Sequence, residues 1–99
     1  MKIFIIPISD VKNQVLTVNL GAQEVNIKLI MRLNHLFIDV ICNNEYIVLS
    51  KICLNNEPII GYKYLPFKGE LFFEDTQGDE NPKYGGLGSR YVLKWISDE

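Results

Sequence analysis

The chain has 99 residues, of which 47% are hydrophobic and 22% charged, and its formal net charge is −2. That size supports one domain spanning residues 1–99 around one core, and the composition excludes a disordered linker. Its ten basic residues are dispersed without a Lys/Arg run, which argues against a surface that neutralises nucleic-acid phosphates.

In chain order, the first element is the apolar run Ile3-Phe4-Ile5-Ile6, read as a β-strand stopped by Pro7. It is far shorter than the apolar stretch of about 20 residues that spans a bilayer, and no small-residue cleavage site follows it. No membrane contact is expected. The expectation is a protein made and kept in a cytosol, or in a particle assembled there.

From Gln14 to Leu20, apolar and polar residues alternate, with Leu16, Val18 and Leu20 on one face. Gly21-Ala22-Gln23 reads as a tight turn. Glu24 to Arg32 then resumes with Val25, Ile27, Leu29 and Met31 inward and Glu24, Asn26, Lys28 and Arg32 outward, completing a hairpin. A second hairpin places Leu36, Ile38, Val40 and Cys42 on one face and Phe37, Asp39 and Ile41 on the other. Asn43-Asn44 supplies a two-residue turn that tolerates positive φ, and the return strand runs from Glu45 to Leu54.

This register separates the two cysteines. Cys42 faces Glu45, so Cys53 lies on the order of 26 Å further along the partner strand at ~3.3 Å per residue. A disulfide needs Cα atoms within about 7 Å, so the two thiols are expected to be reduced and apolar in role. Their spacing matches no zinc pattern, and the chain has one histidine, so no closed Cys/His site can be assembled.

After Leu54 the alternation loosens. Asn55-Asn56-Glu57-Pro58 is a turn, and residues 59–66 form an aromatic connection broken by Gly61 and Pro66. Glu70 to Asp75 is another strand. Thr76 to Gly86 is a polar loop of eleven residues, four of them Gly or Pro, expected to be mobile alone and to order against a partner. The last strand follows Leu87-Gly88-Ser89, with Tyr91, Leu93 and Trp95 on one face and Arg90, Val92, Lys94 and Ile96 on the other. With no helical period along the chain, the fold class is all-β: a small single-domain antiparallel β-barrel or sandwich of about six or seven short strands.

No catalytic constellation emerges. His35 stands between Asn34 and Leu36 at a strand start, where a solvated turn histidine is the ordinary reading, and nothing sets it beside a nucleophile. Gly85, Gly86 and Gly88 do not follow a strand and open a helix, so they are turn glycines and not a phosphate loop. Glu74, Asp75, Asp79 and Glu80 lack the spacing of a calcium loop and read as a solvated loop. The expectation is no enzyme and no cofactor or metal. Aromatics crowd the second half; most should be core, but adjacent Phe72 and Phe73 must point to opposite faces of their strand. Candidate interface residues are Tyr62, Tyr64, Phe72, Tyr84 and Arg90.

The order of these motifs carries a resemblance. Ile6-Pro7, the strand Gln14-Val15-Leu16-Thr17-Val18-Asn19-Leu20-Gly21, the strand Phe37-Ile38-Asp39-Val40 and the terminal Leu87-Gly88-Ser89-Arg90-Tyr91-Val92-Leu93-Lys94-Trp95 together resemble the baseplate plug proteins of cyanophage-type contractile tails, over about residues 3 to 96. The resemblance implies a non-enzymatic structural part of the phage baseplate. Such a protein would plug the distal end of the tail tube by packing against hub and other tail proteins. It also implies self-association in a symmetric assembly and a place in the virion after assembly in the host cytoplasm. The alternative is a generic small β-barrel binding module of oligonucleotide-binding type, for which Lys63, Lys68, Lys83, Arg90 and Lys94 beside tyrosines would serve.

Overall fold

Period-2 alternation is realised as two antiparallel sheets in the computed structural model, which describes residues 2–61 and 67–97. The strands are β1 (Ile3–Ile6), β2 (Asn13–Leu20), β3 (Gln23–Arg32), β4 (His35–Cys42), β5 (Glu45–Ile52), β6 (Glu70–Asp75) and β7 (Tyr91–Ile96). One sheet is the meander β2-β3-β4-β5; the other has the order β1-β7-β6. Their inner faces share one apolar core, so the fold is a sandwich and not a closed barrel.

Three successive two-residue turns build the meander. Gly21-Ala22, Leu33-Asn34 and Asn43-Asn44 all have φ between 49° and 67°, the mirror-image turn whose twist matches that of the flanking strands. Asn43-Asn44 falls where the sequence places it. The first turn is one residue shorter than expected, and Gln23 opens β3, pairs with Leu20 and is buried.

Val25, Ile27, Leu29, Ile38, Val40, Leu93 and Trp95 are buried as expected. Leu16 and Val18 point the same way but stay half-buried, because β2 is an edge strand. Phe37, Asp39 and Ile41 lie on the opposite face and are half-buried there. Cys42 and Cys53 are free and buried; Cys53 donates its amide to Leu36 O at the far end of β4 from Cys42.

Beyond β5 the chain runs along β6. Asn55 bridges Phe73 in parallel, Asn56 N–H donates to Phe73 O at 2.7 Å, and Ile59 N–H donates to Leu71 O at 2.8 Å. That segment covers the outer edge of β6.

The two sheets are tied by a polar junction at the margin of the core, between buried Gln23 and Trp95 and the backbone of exposed Lys68. The Gln23 amide donates to Leu20 O at 3.0 Å and Lys68 O at 3.1 Å, and its Oε1 accepts from Lys68 N–H at 2.7 Å. Trp95 Nε1 donates to the same Lys68 carbonyl at 2.9 Å. The indole needs glycine around it: a Cβ on Gly21 would meet Trp95 at 2.9 Å, and one on Gly69 would meet it at 2.6 Å.

Leu29→Ala, at a position with 0% exposure, should cost about 2–5 kcal/mol in denaturant unfolding. Val15→Ala, at 69% exposure, should change stability by no more than about 0.5 kcal/mol.

Candidate interaction surface

The polar loop expected to be mobile is fastened from several sides. Asp75, whose side chain has no exposed surface, accepts from Arg90 Nε and Nη2, both at 2.8 Å. It also accepts the backbone amides of Gln77 and Glu80, both at 2.9 Å. Glu80 accepts from Arg90 Nη2 at 2.7 Å and from Lys83 at 3.2 Å. At the other end of the loop, Asn81 Oδ1 accepts Asn55 N–H and Asp10 Oδ1 accepts Gly85 N–H. Thr76 donates through both its amide and its hydroxyl to Arg90 O at 2.8 Å. Local composition counts apolar anchors and finds few. The restraints here are polar and reach across the chain.

These contacts also reassign the acidic cluster. Asp75 and Glu80 converge on one guanidinium and Glu74 pairs with Lys94, so most of the cluster neutralises basic residues of the chain itself. The Arg90 hydrogen bonds hold the Asp75 carboxyl well below the usual carboxylate range, and Lys83 lowers Glu80. Among the described residues no group of three or more His, Cys, Asp or Glu could hold a metal ion.

Each candidate interface residue has a definite place or lies outside the described residues. Tyr62 and Tyr64 are in the second class. Phe72 is half-buried on the outer face of β6, with the Lys94 ammonium 6.0 Å from its ring centre. Arg90 is taken up by Asp75 and Glu80 and stacks 5.1 Å over the Tyr91 ring. Tyr84 is 49% exposed, with Lys12 5.5 Å above its ring. It lines a groove with Met31, Leu33, Asn34 and Lys83. Tyr84 and Phe72 therefore have different immediate neighbours.

Of the cations that a stacking, nucleic-acid-binding surface would need, Arg90, Lys83 and Lys94 are each paired with a carboxylate. Lys68 is exposed, and Lys63 lies outside the described residues. His35 is exposed, at the first position of β4 opposite Arg32. The thiols are held protonated: burial pushes Cys53 up to about 12, and burial with the Glu45 charge raises Cys42.

Sequence reasoning missed Leu33. It is 93% exposed at the tip of the β3–β4 turn with φ 49°, a conformation that costs a leucine free energy. The clue is an apolar residue in the turn sequence Arg32-Leu33-Asn34-His35. Ile3, Ile5, Tyr46 and Leu49 are likewise exposed, so the apolar surface is spread over both sheets. The Tyr91 hydroxyl is buried without a hydrogen-bond partner among the described residues.

The cyanophage baseplate Pam3 plug gp18 family model matches residues 3–98. No curated protein matches the sequence significantly.

A carboxylate held below its unfolded value stabilises the fold above that value, about 3.9 for Asp, and loses the contribution as pH falls through the depressed range. Urea midpoints should therefore fall from pH 7 to pH 3, and Asp75→Asn should flatten that dependence. In hydrogen exchange at neutral pH, the Gln77 and Glu80 amides should be protected in the wild type and fast in Asp75→Asn.

Proposed function

Because the chain belongs to the cyanophage baseplate plug family, we propose that it closes the distal end of a phage tail tube by packing against hub proteins. Membership gives it a structural role in the baseplate, association with other tail proteins and a place in the virion tail. The finer reading is that a non-catalytic, disulfide-free sandwich occupies the tube end, that copies associate symmetrically there, and that assembly takes place in the host cytoplasm. The observation that carries it is the family match across nearly the whole chain, residues 3–98.

Three features of the molecule support that reading. A filler of fixed volume benefits from a rigid outline, and the longest loop is braced by Asp75, Arg90 and Glu80. Apolar groups such as Leu33, Tyr46 and Leu49 face solvent in the isolated chain, and exposed apolar surface suits burial against neighbours. Three of the five basic residues near the aromatics, Lys83, Arg90 and Lys94, are matched by carboxylates, which weakens the oligonucleotide-binding alternative.

Removing this gene from a phage that carries it should leave particles with defective baseplates and strongly reduced infectivity, scored by electron microscopy and plaque counts. Co-expression with the neighbouring hub protein should give a complex that co-elutes. Normal baseplates and wild-type infectivity without the protein would overturn the reading.

A further inference from the structure

The free edges of the two sheets are not equivalent. β6 is covered by the segment from Asn55 to Ile59. β5 pairs with β4 through register shifts, carries Ser50 at φ 49°, and has Lys51 folded onto the carbonyls of Pro58 and Ile59. On β1, Ser97 N–H donates to Lys2 O. By antiparallel alternation only Ile3 and Ile5 then turn their backbones outward before Pro7, which has no N–H. Each of these edges is covered, bent or short, the usual protections against strand addition.

β2 has none of these protections. Its eight residues pair with β3 in unbroken register and include no Pro, Gly or charged side chain. Met31 N–H donates to Lys12 O at 2.9 Å, which sets the alternation. Gln14, Leu16, Val18 and Leu20 turn their backbone groups toward β3; Asn13, Val15, Thr17 and Asn19 turn theirs away. Among the described residues no strand pairs with that edge. Leu16 and Val18, which face the core, remain half-buried beside it.

We propose that this edge binds a second copy of the same chain, β2 against β2 and antiparallel, about a two-fold axis at Leu16. The occupant follows from self-complementarity. Outward backbone groups must meet outward groups, and the register centred on Leu16 uses all four positions. It sets Asn13 opposite the partner's Asn19 and Val15 opposite the partner's Thr17, pairs of matched size. It sets Leu16 against Leu16, covering the apolar side chains the monomer leaves half-open. The chain carries a net charge of −2, yet no charge lies on this strand, so two copies meet there without like-charge opposition. The result joins two four-stranded sheets into one. The pairing rests on the self-association in the proposed function, but its test uses the purified chain alone, so its failure leaves closure of the tail tube to be judged on particles.

Sedimentation of the purified chain should show a concentration-dependent dimer, and the Val15 and Thr17 amides should gain hydrogen-exchange protection as it forms. Val15→Pro removes an N–H that points away from β3, so it should retain a cooperative melt while dimerising at least about tenfold more weakly. Val15→Lys should weaken the dimer similarly and serves if the proline variant does not fold. A Leu16→Cys variant should form an intermolecular disulfide, because directly opposed residues without mutual hydrogen bonds have Cα atoms about 4.5 Å apart. Val15→Cys should not. A monomer at every attainable concentration, a dimer without protection of Val15 and Thr17, or a dimer insensitive to Val15→Lys would overturn the proposal.

Discussion

One carbonyl holds the two sheets in register. Lys68 O accepts from the Gln23 amide of the meander and from the Trp95 indole of the other sheet, and Lys68 N–H closes the loop on Gln23 Oε1. Buried polar atoms are costly unless satisfied, so this junction permits few relative positions of the sheets. Apolar faces alone can slide with little penalty. The glycines follow from the same requirement, because Gly21 and Gly69 leave the space the indole occupies. Phe4 completes the surround from β1, with its ring centre 5.5 Å from that of Trp95.

The charge network at the other end of β6 and β7 acts on the surface as this junction acts at the margin of the core. Asp75 and Tyr91 are cross-strand partners, so Arg90, just before Tyr91, stands where its guanidinium can reach back to Asp75 and forward to Glu80. A loop rich in glycine and acidic residues is thereby converted from a tether into a buttress. The conversion depends on Arg90, because Asp75 and Glu80 without that cation would repel one another.

Much of this was legible in the sequence. Alternation alone located the strand faces from Leu16 to Cys42 and from Tyr91 to Ile96, because side-chain direction in a strand depends only on parity. Parity also held the clue to Gln23, which shares the inward face of Val25 and Ile27; reading it as part of the turn concealed it. What stayed hidden depends on long-range partners. Nothing near Asn81 announces Asn55, and nothing near Gly85 announces Asp10. Among the interface candidates, residue type left open which aromatics would be exposed, and Tyr84 proves to be half-open to solvent. Nor could residue type show that Arg90 was already engaged, because solvent and a buried carboxylate are equally attractive to a guanidinium read in isolation.

The strand order has a consequence for how the chain reaches this form. The meander is assembled from three hairpins with two-residue turns, so each of its pairings closes a short loop and can form early. β1, by contrast, pairs only with β7, Ile3 opposite Ile96. During synthesis β1 must wait for β7 to emerge from the ribosome. Throughout that interval Ile3, Phe4, Ile5 and Ile6 are an unpaired apolar segment beside a meander that can already have formed. Completion of the second sheet is the slow, long-range step, and the growing chain is most exposed to misassociation just before it.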